Sequence, residues 1–501
     1  MIDDIMSTPP QKDMQKLLGF YQKKNYLEAE RLADALTQKF PKDPFAWKTL
    51  ASIYKITGRL KKSLLLNHKL LELSPEDHEV YGNMANTLRR LGRLKDAEEN
   101  YRFAISLKSD FAEAYSNLGI TLRDLGNLED AEINCKRAIE LNPNLEHAHN
   151  NLAVVYNNLG KLEDAEASCK KAINLSPDFP EPYNNLGNAQ KNGGKLGDAE
   201  LSYKKAIKLK PDYTEAFNNL GATLQEQGKL DEAEPYYKKA IKLKPLYAEA
   251  YKNYGGLLHR LNRLKEAEMN YKKALDIQPE NTDTSHLLAA LRGHTTKTAP
   301  KVYIENLFNN YAHRFDNSLL NELSYNAHKL AAKKILQNFN NESIGSILDL
   351  GCGTGLFGEE IKDFCNYLEG IDLSPLMLDI ANKKNIYDKL SRDNILDYLR
   401  LERLKFDYFI FTDVFIYIGD LNDIFQLIVS RNESSGKLVF TTEITEKADY
   451  FLEKSGRYSH SKPYIEMLCN TYKYNLSYFE EIKLRKEKDK FIIGGLYILE
   501  F

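Results

Sequence analysis

Three glycines at alternate positions, in Asp349-Leu-Gly351-Cys-Gly353-Thr-Gly355, follow the apolar run Ser346-Ile-Leu and precede a helical pattern from Leu356 to Phe364. A strand, a turn without side chains and a helix let the backbone pass close beneath a nucleotide-like ligand and aim the helix's first amides at it. A second carboxylate, Asp372, ends the strand-like run Tyr367-Leu-Glu-Gly-Ile. It stands roughly 20 residues beyond the turn, where a carboxylate can accept from both hydroxyls of a ribose. Ser374-Pro375 then reads as the N-cap and first residue of a helix.

Gly353-x-Gly355-x-x-Gly358 also satisfies the dinucleotide-binding pattern, which asks only for glycine spacing. Asp349 argues the other way. A carboxylate at the end of the first strand repels a pyrophosphate but suits a ligand carrying ammonium and sulfonium charges, which favours S-adenosylmethionine. No aspartate or asparagine followed by two prolines and an aromatic stands after the fourth strand, so the signature of amide and adenine N-methylation is absent.

Positioning these groups requires alternating strands and helices. Further strands are expected near 389–394, 406–413 and 436–443, with Leu476 to Leu484 and Phe491 to Phe501 forming a final antiparallel hairpin. The fold predicted for 301–501 is thus α/β and Rossmann-like, a mostly parallel seven-stranded sheet, with Lys301 to Phe339 helical ahead of it. Asp413, closing the fourth strand, opens toward the place of a methyl acceptor, with helix capping as its competing role. Tyr417, Glu443, Arg457, Tyr458 and His460 are the other polar candidates. Asp413 and His460 are the groups expected to act as a general base, with Tyr458 beside them, because positioning supplies most of the rate and a base serves only a protonated acceptor.

Leu348-Asp-Leu-Gly-Cys-Gly-Thr-Gly355 together with Gly370-Ile-Asp-Leu-Ser374 resembles the first two motifs of class I S-adenosylmethionine-dependent methyltransferases. Tyr311-Ala-His-Arg-Phe-Asp316, Phe406-Asp-Tyr through Thr412-Asp-Val-Phe-Ile-Tyr-Ile-Gly-Asp420, and Ser455-Gly-Arg-Tyr-Ser-His460 are similar to bacterial methyltransferases fused to tetratricopeptide repeats. The resemblance implies that Asp349, Gly351 and Gly353, with Gly355 completing the turn, hold the methionine end of the cofactor and Asp372 its ribose. Asp393 or Asn394 would meet the adenine amino group, and Asn394 is the choice made here; both could instead form an ordinary turn.

The N-terminal half is periodic. A 34-residue step links Gly187, Gly221 and Gly255 and runs backward through Ala153, Gly119, Ala85 and Ala51. Trp47, Tyr81, Tyr115, His149, Tyr183, Phe217 and Tyr251 keep the same step, as do Gly58, Gly92, Gly126, Gly160, Gly194, Gly228 and then Asn262 at an inter-helix turn. The pattern resembles the tetratricopeptide repeat, a two-helix unit. About eight units are expected over 10–292, the last stretch, Thr282 to Arg292, being a capping helix stopped by Gly293. A polar linker, 293–300, would then tether the second domain.

Asn83, Asn117, Asn151, Asn185, Asn219 and Asn253 also recur with this step. Equivalent helices of adjacent repeats lie about 10 Å apart, and an extended chain advances roughly 3.3–3.6 Å per residue. One amide for every three residues could therefore clamp a peptide backbone, as on the similar repeat surface of the O-linked N-acetylglucosamine transferase. A protein or peptide partner on the concave repeat surface is expected, although asparagine is common at this position in ordinary repeats.

Composition bounds the rest. In 501 residues, 69 basic against 71 acidic side chains give no electrostatic call for nucleic acid. The five cysteines form no C-x-x-C pair or metal-ligand spacing, and Cys135 and Cys169 are core positions of the repeat. No stretch approaches a membrane span of roughly 18 apolar residues, and Met1 to Pro10 has no basic flank of a signal peptide. A cytoplasmic methyltransferase whose repeats recruit a protein partner or substrate is the expectation. The alternatives are an interaction scaffold with a weakly active or ligand-sensing methyltransferase fold, and a small-molecule enzyme using its repeats for assembly. The sequence leaves the methyl acceptor and the oligomeric state open.

Overall fold

The computed structural model describes residues 8–337, 343–400, 404–447, 449–487 and 490–501. It divides into two compact units, residues 1–190 with 201–211, and residues 191–200 with 212–501. The first contains most of the helical repeats; the second contains the last repeats and all of the α/β fold.

Each repeat is a pair of antiparallel helices, such as Pro44–Ile56 with Leu60–Leu73 and Ala112–Asp124 with Leu128–Leu141. The turn glycines from Gly58 to Gly228 all have positive φ, and Asn262 reaches φ 59° in their place. That left-handed step is what one residue must take for the chain to reverse between helices. Ala97, Ala131, Ala165, Ala199, Ala233 and Ala267 are fully buried where the paired helices cross. A Cβ at Gly187 would meet the Tyr203 ring at 2.7 Å, and one at Gly119 would meet Cys135 Sγ at 2.4 Å, so the large residue of the second helix requires the small one of the first. The Cys135 and Cys169 thiols are fully buried, and burial pushes both up to about 12. The periodic aromatics have a polar use as well. Trp47 Nε1 donates to the Pro41 carbonyl (3.1 Å), and Tyr81 and Tyr183 hydroxyls donate to those of Pro75 and Pro177 (3.1 and 3.2 Å). His149 Nε2 lies 2.9 Å from the Pro143 oxygen. Ring and proline together fasten the entry of a repeat.

The α/β fold contains nine strands among the described residues: β1 (Ser346–Leu350), β2 (Tyr367–Asp372), β3 (Lys389–Arg392), β4 (Tyr408–Phe411), β5 (Lys437–Ile444), β6 (Tyr450–Leu452), β7 (Tyr458–His460), β8 (Asn475–Glu487) and β9 (Lys490–Glu500). The order is β3-β2-β1-β4-β5-β7-β6, with β9 antiparallel to β5 and β8 antiparallel to β9. β1 to β5 are parallel neighbours, which places the C-terminal ends of β1, β2 and β4 side by side. The sheet therefore has two strands more than the predicted seven, because the short pair β6 and β7 adds to the end of β5. Three residues each, around Gly456, leave no alternation to recognise in the sequence.

The helical stretch expected from Lys301 to Phe339 is broken. A helix, Lys301–Tyr311, leads into short helical turns as far as Glu322, and a second helix follows at Ala327–Leu336; Phe339 lies outside the described residues. The residues foreseen as a linker are bonded along their length. Gly419 N and Asp420 N donate to the Lys297 carbonyl (2.9 and 2.8 Å), and Ala299 N donates to that of Tyr417 (3.0 Å). Leu452 N donates to Thr295 Oγ1 (3.2 Å).

Candidate active site

A cavity of about 430 Å³ opens at the C-terminal ends of β1, β2 and β4. It falls within the roughly 300–1,000 Å³ usual for small-molecule sites, and at the end of a parallel sheet, where open α/β folds bind ligands. Gly351, Gly353, Thr354, Asp372, Asp393 and Asn394 line one side. Phe308, Tyr311 and Phe315, from the helical segment before the sheet, supply apolar surface. That segment is anchored: Ser374 Oγ, which caps Pro375–Lys384, lies 2.7 Å from Asn309 Oδ1, and Thr354 Oγ1 bonds to Asp316.

The turn after β1 needs glycine twice over. Gly351 has φ 80°, and a Cβ there would strike Val414 at 2.5 Å; Gly353 has φ 54°, and a Cβ there would meet only Phe315, at 3.8 Å. The second position is a cradle that a side chain would fill. Gly358, the last glycine of the dinucleotide-like spacing, lies on the short helix Leu356–Ile361 and packs beneath Tyr387.

Asp372 lies in the cavity wall, its carboxylate accepting from Gly353 N (3.0 Å) and Ser374 N (2.8 Å). Burial pushes it up to about 6, against the pull of those two amides. Asp349 is 1% exposed and lies outside the cavity wall. Its Oδ2 accepts from the Tyr387 hydroxyl (2.6 Å), while Oδ1 has no partner among the described residues. Burial, reinforced by the Asp372 charge, raises it to about 7, with the Tyr387 hydrogen bond working in the opposite direction.

Asn394 and Asp393 both line the cavity, but the amide assigned to adenine has other work. Asn394 Oδ1 accepts from Leu396 N (2.9 Å) and Asp397 N (3.4 Å), capping the helix Ile395–Leu399.

At the far end, Asp413 adopts φ 61°, a strained conformation for a non-glycine residue, fixed by its N–H to Thr441 Oγ1 (2.9 Å). Arg485, 2% exposed, places Nη1 3.3 Å from Asp413 Oδ2 and bonds through Nη2 to Glu443. Arg457 lines the cavity and pairs with Glu487. Tyr417 lines it too.

His460 and Tyr458 do not reach the cavity, which corrects their proposed catalytic role. Both are fully buried on β7. His460 Nε2 lies 3.0 Å from the Gly419 carbonyl oxygen, with the ring stacked near Tyr464, and burial lowers it to about 4. The Tyr458 hydroxyl is 2.5 Å from Thr296 Oγ1. Tyr458 thus faces residues 293–300, and His460 the Gly419 carbonyl and the ring of Tyr464.

Tyr325, His328 and Arg485 line the cavity without having been singled out by sequence. For Arg485 a signal existed only in the strand register. Leu484 and Arg485 are both buried although they are consecutive, because a bulge between Lys483 and Arg485 turns two successive side chains inward.

The asparagines of the repeats are half-buried and several reach across repeats. Asn151 Nδ2 donates to Ser116 Oγ (2.9 Å), Asn185 Nδ2 to Asn150 Oδ1 (2.8 Å), and Asn253 Nδ2 to Asn218 Oδ1 (3.1 Å). Asn83 Oδ1 accepts from Lys55 Nζ (2.9 Å).

A methyltransferase domain family matches residues 323–483, and tetratricopeptide repeat families match 85–126, 112–145, 147–179, 168–200, 191–228 and 212–280. The chain thus carries tetratricopeptide repeats followed by a methyltransferase domain. Over 127 residues it is 28% identical to an uncharacterised methyltransferase of Schizosaccharomyces pombe, a match of 23% of this chain and 44% of that one. Over 156 residues it is 25% identical to a Geobacillus protein named as a methyltransferase, covering 29% of this chain and 61% of the relative. The chain therefore spans about half the length of these curated relatives. Among solved structures, the Cut9–Hcn1 hetero-tetramer of APC/C aligns at 15% identity with a TM-score of 0.46, covering 53% of this chain and 52% of the other. A repeat protein of Thermus thermophilus aligns at 26% identity and TM-score 0.34, covering 36% and 98%. Among the described residues no helix is long and apolar enough to cross a membrane.

Proposed function

We propose that the chain is an S-adenosylmethionine-dependent methyltransferase whose repeats recruit a protein partner or substrate. The observation that carries this reading is a single cavity walled by the glycine turn, by Asp372 at the end of β2 and by Asp413 just beyond β4. The residues fit the cofactor: Gly353 leaves a cradle, and Asp372 presents a carboxylate to it, whereas the buried Asp349 stands outside the cavity wall. When bound, S-adenosylmethionine would supply a methyl carbon on a positive sulfonium, open to in-line displacement by an acceptor's lone pair with the sulfide as the leaving group.

Asp372 would accept from the ribose hydroxyls and Asp393 from the adenine amino group, and the glycine turn, with Asp349 buried behind it, would take the aminoacyl end. Phe308, Tyr311 and Phe315 exclude water, and Arg485 holds Asp413 toward the acceptor end. The working division is repeats over 10–292, a connecting segment over 293–300 and the methyltransferase domain over 301–501.

A different use of the asparagine ladder is favoured by its cross-repeat bonds, in which the amides stack one repeat on the next. Peptide clamping would then draw on the remaining donor and acceptor of each amide. The two uses are compatible in one side chain.

Calorimetry of the full chain tests the cofactor reading. S-adenosylhomocysteine should bind and a nicotinamide dinucleotide should not; the absence of binding by either S-adenosyl ligand would overturn it.

A further inference from the structure

The stretch Tyr311-Ala-His-Arg-Phe-Asp316 follows the helix Lys301–Tyr311, and its side chains divide between two tasks. Tyr311 and Phe315 line the cavity, packed edge to face with centroids 5.7 Å apart, and Phe315 meets Phe308 in the same way at 5.9 Å. Arg314 reaches instead to the repeats. Its Nη1 donates to Glu226 Oε2 (2.7 Å), at the end of the helix Thr214–Glu226, while its guanidinium lies over the Tyr311 ring, 5.1 Å from the centroid. Glu226 also pairs with Lys191 (3.1 Å), yet 26% of its side chain stays exposed. The backbone on either side of Phe315 leaves the regular α-helix, with a 3-10 turn at Ala312–Arg314 and a π turn at Ser318–Glu322. Such breaks are where a helical segment can hinge.

Phe315 roofs the cradle at Gly353. A Cβ on that glycine would lie 3.8 Å from the ring. The ring therefore stands within about 5.5 Å of the glycine Cα, a Cα–Cβ bond being about 1.5 Å. An atom resting between two others needs about 3.5–4 Å to each, so a ligand that lies over Gly353 must push Phe315 away. Phe315 is wedged against Tyr311, on which the Arg314 guanidinium rests, and its displacement is felt at the pair with Glu226. We infer that the Arg314–Glu226 pair is an autoinhibitory latch: it holds residues 311–316 over the glycine turn, so that the pair and the bound cofactor oppose each other. This rests on the cofactor reading above. Opposition of this kind is reciprocal, and a repeat-bound partner that brings a basic side chain to Glu226 in place of Arg314 raises the affinity for cofactor. The chain then takes up its methyl donor best when its repeats are engaged.

Calorimetry of the full chain with S-adenosylhomocysteine reads the latch. A partly exposed ion pair is worth up to about fivefold in an equilibrium, so Glu226→Gln, remote from the cavity wall, should tighten S-adenosylhomocysteine by about two- to fivefold. Glu226→Arg should tighten it as well, and adding Arg314→Glu to that chain should return the affinity to the wild-type value by rebuilding the pair with its charges exchanged. Glu268→Gln, which removes a carboxylate paired with Lys272 and Arg292, should change nothing. Unchanged or weakened binding in Glu226→Gln overturns the inference, as does a folded charge-exchanged chain that keeps the tighter affinity. Salt supplies a second measurement. Raising sodium chloride from about 50 mM to about 500 mM screens the pair, so it should tighten S-adenosylhomocysteine in the wild-type chain and not in Glu226→Gln; the same salt response in both overturns the inference even if the charge-exchanged chain does not fold. Failure of the wild-type chain to bind S-adenosylhomocysteine at all would instead refute the cofactor reading.

Discussion

Cofactor affinity should fall in mild acid through Asp372. Burial raises this carboxyl to about 6, well above its ordinary value, so it is ionised above about pH 7 and loses its charge as the pH drops through 6. The ionised group accepts hydrogen bonds from ribose hydroxyls, while the protonated group must give up an acceptor and carries no charge to strengthen the bond. At pH 5 only about one site in ten remains ionised, which weakens binding by up to about tenfold, or about 1.4 kcal/mol. Loss of the charge-assisted bonds in Asp372→Asn should cost about 1.5–3 kcal/mol at pH 7, roughly tenfold to a hundredfold, and should remove most of the dependence on pH. Calorimetric titration of S-adenosylhomocysteine between pH 5 and 7 measures both effects. A wild-type affinity that is flat over this range, or an Asn variant that keeps the full slope, would show that Asp372 does not bind the ribose as a carboxylate. Gly353 N and Ser374 N already donate to the same group, so a variant that disturbs the turn itself would betray that by losing the glycine-turn conformation along with affinity.

Asp349 should act on stability instead. Its folded pKa is raised to about 7, so its ionisation destabilises the cofactor-free domain as pH rises from 4 to 7, by at most about 4 kcal/mol; Asp349→Asn should therefore raise the melting temperature at pH 8 more than at pH 5, and an equal change at both would refute the linkage. Asp393→Ala should weaken S-adenosylhomocysteine, whereas Asn394→Ala should mainly cost about 1 kcal/mol of helix capping; calorimetry and denaturant unfolding separate them, and the reverse ranking would restore Asn394 as the adenine contact. Asn151→Ala with Asn185→Ala should lower the urea midpoint of the repeats, since each removes a cross-repeat bond worth about 0.5–1.5 kcal/mol; an unchanged midpoint would mean that those bonds do not hold the stack.

What could be read from the chain was whatever is written locally. Gly58 and its successors mark the turns because a positive φ leaves its trace at a single position, and Ser374-Pro375 marks a helix start for the same reason. Asp349, Gly351, Gly353 and Asp372 stood out because strand, turn and strand are consecutive. The acceptor end was not readable in this way. Asp413 and Arg485 meet there from well-separated parts of the sequence, and Arg485 faces inward only through a bulge whose position depends on the partner strand. His460 and Tyr458 were attractive as polar residues in a family-like segment, but two short strands fold that segment onto residues 293–300 and turn both side chains away. Asn394 has two uses that the sequence does not rank: the same amide oxygen that suits adenine also caps the first turn of a helix.

The bonds along residues 293–300 set where the protein can be divided. A fragment beginning at Lys301 would leave Gly419 N, Asp420 N and Leu452 N without their acceptors and the Tyr417 carbonyl without its donor, and would strip the Gly456 carbonyl of His286, whose Nε2 lies 2.9 Å away. Tyr417 belongs to the cavity wall, so the cut edge would run into the site itself. A boundary for producing the α/β half alone is better drawn before Thr282, keeping the last helix as an extra layer over β6 and β7, than in the polar stretch where the sequence invites the scissors.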